Sequence, residues 1–220
     1  MLLIVPGIPI VLAIWYSSDS AAPLVLIVSG YAAFLAIQIG VEALLRKNHA
    51  PGVRHRVPIR GLLPVWLCVA LPASTCIALA TAAVLVHASS SVSARSILWL
   101  AAVLLLFVLA AAGAWLSLTR PPLSHADGAQ DRLLRAVTLY RVFRALTSAM
   151  LMLTASLIST HALTLSTVLG VYQPPSAGVS TAVTTANALL FALAAIIVLL
   201  PGPVRPPATE EAGEAKALYP

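Results

Sequence analysis

The sequence predicts an all-α, polytopic membrane helix bundle of six transmembrane helices, or five if the first apolar segment is re-entrant. Three observations carry that expectation. Hydrophobic residues make up 60% of the 220 positions and charged residues 9%, against about 45–50% and about 25% in soluble domains. The apolar residues fall in long runs broken by short connections. The basic residues keep to alternate connections: of 13 Lys and Arg, five lie in 46–60, five in 119–144, and Arg205 and Lys216 in the tail, leaving only Arg95 in the other set. Folding alone buries at most about three quarters of a chain's surface, too little to hide this much apolar area from water. Lipid must be the solvent. The basic bias is the positive-inside pattern, which places 46–60, 119–140 and both termini in the cytoplasm.

Residues 2–16 (LLIVPGIPIVLAIWY) form the first segment. At 1.5 Å per residue they reach about 22 Å, less than the roughly 30 Å hydrocarbon core. Pro6, Gly7 and Pro9 weaken the opening turns, and Trp15 and Tyr16 suit the outer interface. No Lys or Arg precedes the run and no small-x-small site follows it, so the pattern differs from a signal peptide.

The second span covers 21–45 and leads into the basic loop 46–60. The third covers 61–87, with Pro72 near its middle, where a kink is expected. After the polar turn 88–95 the fourth covers 96–118. In 130–145 the apolar Leu133, Leu134, Val137, Leu139 and Tyr140 alternate with Arg132, Arg135, Arg141 and Arg144. That pattern suits an interfacial amphipathic entry to the fifth span, which itself covers 145–168. The sixth span covers 180–200. Residues 1–200 thus form one helical bundle, and the Pro- and Glu-rich segment 201–220 predicts a disordered cytoplasmic tail. Ala32, Ala36 and Gly40, Ala110 and Ala114, and Ala188 and Ala192 recur at intervals of four. Such small-residue spacing predicts close helix seams.

Ionisable groups at membrane depth are costly and mark candidate sites. Glu42 is the lone acid inside a span, on a face with Gln38 and Tyr31, and Arg46 follows four residues on. Arg141 and Arg144 lie near the same depth at the start of the fifth span. Glu42, Arg46, Arg141 and Arg144 are therefore the first candidate polar or ligand site. His161 with Thr154, on one stripe of the fifth span, and Asn187 on the sixth form a secondary candidate.

No cofactor and no metal site is expected. Cys68 and Cys76 lie eight residues apart in one apolar helix, a rise of about 12 Å, beyond the roughly 7 Å limit for a disulfide. Lys47 and Arg54 have the spacing that opens the membrane lipid-phosphatase signature, but His55 stands where that signature has Pro, and its later elements are missing. The run DGAQDR at 127–132 lacks the flanking aspartates of the CDP-alcohol phosphotransferases. Nucleoside-triphosphate, dinucleotide, serine-hydrolase and zinc-protease motifs do not occur.

The partners expected are the lipid bilayer, anionic headgroups at the basic loops, and either another membrane protein or a second copy of the chain. Nucleic acid is not expected, because the positive charge flanks apolar spans instead of forming one patch. Arg outnumbers Lys 11 to 2, which points to a bacterial source and the plasma membrane. The functional expectation is a small permease or a membrane subunit of a transport or envelope complex. The alternative is an intramembrane enzyme on a lipid or isoprenoid substrate at the cytoplasmic leaflet, with Glu42 as acid or base and the arginines gripping a phosphate. Convergence of Glu42 on those arginines would favour the enzyme.

Overall fold

The computed structural model describes residues 22–47, 62–88, 94–121, 128–161 and 177–202. These form five helices and, among the described residues, no strand: α1 Ala22–Lys47, α2 Val65–Ala88, α3 Ala94–Thr119, α4 Gly128–Thr160 and α5 Ala177–Leu199. All five are long and apolar enough to cross a membrane. The short first segment 2–16 and the tail beyond Gly202 lie outside the described residues, so the described count is five and not six.

Close contacts between helix ends set their directions. Glu42 near the end of α1 meets Arg120 at the end of α3, and Asp131 at the start of α4 meets the same Arg120. Trp99, early in α3, donates its indole N–H to the Leu153 carbonyl late in α4 at 3.2 Å. Tyr140, early in α4, donates to the Pro201 carbonyl just past α5 at 2.9 Å. Successive helices therefore run antiparallel. The ends near 47, 62, 120, 128 and 200 gather at one end of the bundle, called here the basic end.

The centre of the bundle is α4, which packs against all four other helices. Its spanning stretch is 72% buried, against 17–33% for the others. The physical reason lies in its residues. A helix carrying Asp131, Arg132, Arg135, Arg141 and Arg144 plus several hydroxyls cannot present every face to lipid. Small side chains at Ala136, Ala149 and Ala155, all buried, let its neighbours approach. The outer helices turn residues such as Val25, Leu44, Val69, Leu104, Leu189 and Ile196 outward, more contiguous apolar surface than a water-soluble monomer tolerates.

Two expectations are corrected here. The arginine-bearing stretch 130–145 leads into the fifth span as expected, but it is enclosed by the bundle and not laid along an interface. It continues without a break into the span as α4, and its Asp131 and Arg135 turn into the bundle, because their charges find partners there and would find none in lipid. Of the small residues of α1, Ala32 packs against the core, but the other two form no seam. Gly40 and Ala36 are exposed, and a Cβ added to Gly40 would meet nothing within 4 Å. The buried glycine is Gly113 of α3, where an added Cβ would lie 3.5 Å from Val142 and 3.6 Å from Ile39. Ala110 on the same face is buried, while Ala188 and Ala192 of α5 are exposed.

The helix α2 runs on through Pro72, and Ser74 and Thr75 both donate to the Leu71 carbonyl at 2.9 Å. Cys68 and Cys76 are free and exposed on the outside of the bundle.

A single hydroxyl relay ties three helices near mid-bundle. Ser148 of α4 donates to the Ala194 carbonyl of α5 at 3.1 Å, so the Tyr31 hydroxyl of α1, 2.6 Å away, donates to Ser148. Tyr31→Phe removes one bond and should lower stability by about 1 kcal/mol. Ser148→Ala should cost more, because it strands the buried phenol. Unfolding by titration with SDS from a mild detergent measures both, and equal effects would show that the relay is not shared.

Candidate functional site

At the basic end, four charged side chains meet inside the protein: Glu42 of α1, Arg120 just past α3, and Asp131 and Arg135 of α4. None of the four residues is more than 5% exposed. The formal charges cancel, two acids against two guanidinium groups.

Local sequence explains how each arrives. Pro121 and Pro122 follow Arg120 and cannot continue a helix, so α3 stops and leaves Arg120 at its tip. The Arg120 backbone N–H still bonds to Leu116 at 3.0 Å. Asp131 lies in the first turn of α4, where the helix dipole favours an acid, and Arg135 is four residues on, the spacing that brings side chains face to face.

Arg135 is the keystone. Its Nε donates to Asp131 Oδ2 at 2.7 Å. Its Nη1 donates to the Ser117 and Leu118 carbonyls at 3.0 and 3.2 Å, and its Nη2 to the Arg120 carbonyl at 2.9 Å. One guanidinium thus caps the C-terminus of α3, whose carbonyls have no partner within their own helix, and opposes the negative end of that helix dipole. Arg120 Nη2 donates to Asp131 Oδ1 at 3.0 Å. Both Asp131 oxygens are therefore bonded.

The side facing α1 differs. Arg120 Nη1 stands 3.5 Å from Glu42 Oε2 as an ion pair, but neither Glu42 oxygen has a hydrogen-bond partner within the protein. Arg120 Nε and Nη1 and the Ser117 hydroxyl are likewise buried and unpartnered.

The first candidate set is thereby rearranged. Of Glu42, Arg46, Arg141 and Arg144, only Glu42 is in the cluster. Its ion-pair partner is Arg120, and Arg46 and Arg141 are exposed. Arg144 donates to the Leu200 carbonyl and lies over the Tyr140 ring, 5.2 Å from its centroid. With Tyr140 bonded to Pro201, Arg144 caps α5 as Arg135 caps α3. Trp66 of α2 packs edge-on against the same ring, with centroids 6.1 Å apart. Two of the basic residues that flank the apolar spans, Arg120 and Arg135, are themselves buried.

Of the secondary residues, Thr154 and Asn187 bond to different partners. Thr154, fully buried, donates to its own helix at Met150, 2.7 Å. Asn187 Nδ2 donates to Ser159 Oγ at 2.5 Å, and its Oδ1 is buried without a partner. His161 closes α4, its backbone N–H bonded to Leu157 at 3.1 Å. Among the described residues no group of three or more His, Cys, Asp or Glu could hold a metal ion.

Sequence reasoning overlooked Arg120, Asp131 and Arg135 as site residues. The signal available was local: an acid and a base four apart at a helix start, and an arginine immediately before two prolines. No family model, no curated protein and no solved structure matches the chain.

Proposed function

We propose that this integral membrane protein is a small permease, and that Glu42, Arg120, Asp131 and Arg135 form the polar centre through which its solute is handled at the cytoplasmic end. The observation that carries this is the buried cluster itself, a neutral set of four charges with its unmet hydrogen-bonding capacity concentrated between α1 and α3. Buried polar groups continue along α1 and α4 at Gln38, Tyr31, Ser148 and Thr154. An enzyme of the phosphate-gripping kind is less well supported, because Arg135 and Arg144 are committed to helix carbonyls and do not converge on Glu42.

The test is flux. Protein reconstituted in liposomes is challenged with small neutral solutes, protons and alkali cations by stopped-flow light scattering and entrapped dyes. A rate above protein-free vesicles that falls at least tenfold in Glu42→Gln is the expected result. No flux of any of these overturns the permease reading.

A membrane-subunit role is the second reading, favoured by the exposed facet of Ala33, Ala36 and Gly40 on α1, smooth enough to receive another helix. Gly40→Cys in a Cys68→Ala, Cys76→Ala background should then cross-link to a neighbour in native membranes.

The setting proposed is the plasma membrane of a bacterium, with six spans, both termini cytoplasmic and anionic headgroups against the exposed arginines. The topology rests on the 12-to-1 division of basic residues, and the bacterial source on the excess of Arg over Lys. In the same cysteine-free background, Ser90→Cys should react with an impermeant thiol reagent from outside and Gly52→Cys should not. The reverse pattern inverts the topology.

A further inference from the structure

Five buried polar atoms lack a hydrogen-bond partner within the protein at one place: Glu42 Oε1 and Oε2, Arg120 Nε and Nη1, and Ser117 Oγ. Ser117 and Arg120 are three apart, which puts them on one face at the end of α3 with the serine about one turn deeper. Buried donors and acceptors without partners are rare in folded proteins, and each costs about 1–3 kcal/mol, more when charged. The other half of the same cluster shows that this is no general looseness. Asp131 has both oxygens bonded, and Arg135 makes four hydrogen bonds. The unmet capacity is confined to the junction of α1 with α3.

We propose that Glu42, Arg120 and Ser117 form a binding site for a small neutral molecule that both donates and accepts hydrogen bonds, water being the smallest such guest and a carboxamide the next. The atoms define that chemistry. The guest's acceptor takes the Arg120 N–H groups that lack a hydrogen bond, its donor serves the Glu42 carboxylate that is only ion-paired, and the Ser117 hydroxyl can do either. The four formal charges already cancel, so a charged guest would leave one buried charge without a counterpart. One turn deeper on the same face of α3, Gly113 packs on Ile39 and Val142, which closes the site with apolar groups on the side toward mid-bundle. This inference rests on the site proposed for the permease and names what that site takes.

Occupancy is read independently of flux. The full-length protein, labelled with 15N at arginine, is placed in lipid nanodiscs in H2O and observed by NMR. The Arg120 Nε–H resonance is identified by its loss in Arg120→Lys or, should that variant not fold, by its selective shift in Glu42→Gln. The Arg135 Nε–H, bonded to Asp131, is the internal reference. A cross-relaxation peak from water to Arg120 Nε–H, lacking at Arg135, identifies water as the guest. A saturable shift of Arg120 alone on adding urea, without a water peak, identifies a carboxamide guest. Either result supports the site. Neither a water peak nor a urea-dependent shift at Arg120 overturns it. A positive result in a protein that moves no solute would refute the permease and keep the site.

Discussion

Arg135→Ala lowers the stability of the folded protein by about 3–5 kcal/mol, the usual consequence of removing one member of a buried ion pair. The loss is compound. Asp131 is left with a buried oxygen unpaired, and the Ser117, Leu118 and Arg120 carbonyls lose the guanidinium that caps them. Ser117 and Arg120 are fully buried, and a buried carbonyl left without its donor costs free energy of its own. Arg141→Ala, at an exposed position less than about two turns along the same helix, should change stability by less than about 0.5 kcal/mol. SDS unfolding monitored by tryptophan fluorescence compares the two variants directly. Equal effects would mean that the α3 cap contributes nothing.

Gly113→Leu is expected to destabilise by about 1–3 kcal/mol, the range for overpacking a filled interface, whereas Gly40→Leu is expected to be neutral or slightly stabilising because Leu is the better helix former. A Cβ at 113 meets Val142 and Ile39 at ordinary contact distance, 3.5 and 3.6 Å, so Gly113→Ala should be tolerated. The remaining atoms of Leu have nowhere to go without parting α3 from α1 and α4. Retained monodispersity on gel filtration and an unchanged unfolding midpoint for Gly113→Leu would refute this seam. A larger loss from Gly40→Leu in native membranes than in detergent would instead reveal a second chain against the outer facet of α1.

Much of the architecture was legible because the membrane imposes length and polarity on each segment separately. The expected spans 21–45, 61–87, 96–118 and 180–200 correspond to Ala22–Lys47, Val65–Ala88, Ala94–Thr119 and Ala177–Leu199, differing only by a few residues at their ends. The fifth was misdivided. Alternation of arginines with leucines reads the same whether a helix lies on a bilayer or is enclosed by four neighbours, and only the neighbours distinguish the two. Glu42 stood out as an acid within a span, yet its partner was misassigned. Sequence proximity favoured Arg46, one turn away, but that guanidinium has water available at the helix end and Arg120 does not.

Hydropathy, span length and the division of basic residues are properties of single segments, so the sequence by itself determined that this is an all-helical chain of membrane-length elements and which ends share a side. Which face of each helix is internal depends on what packs against it. Only the tertiary structure decided that α4 is the enclosed helix, that Gly113 and not Gly40 is packed, and that Arg120 and Arg135 turn inward. Their charges are stable there because Glu42, Asp131 and the carbonyls at the end of α3 are brought within reach from three different helices, a coincidence in space of which local spacing encodes only the Asp131–Arg135 pair.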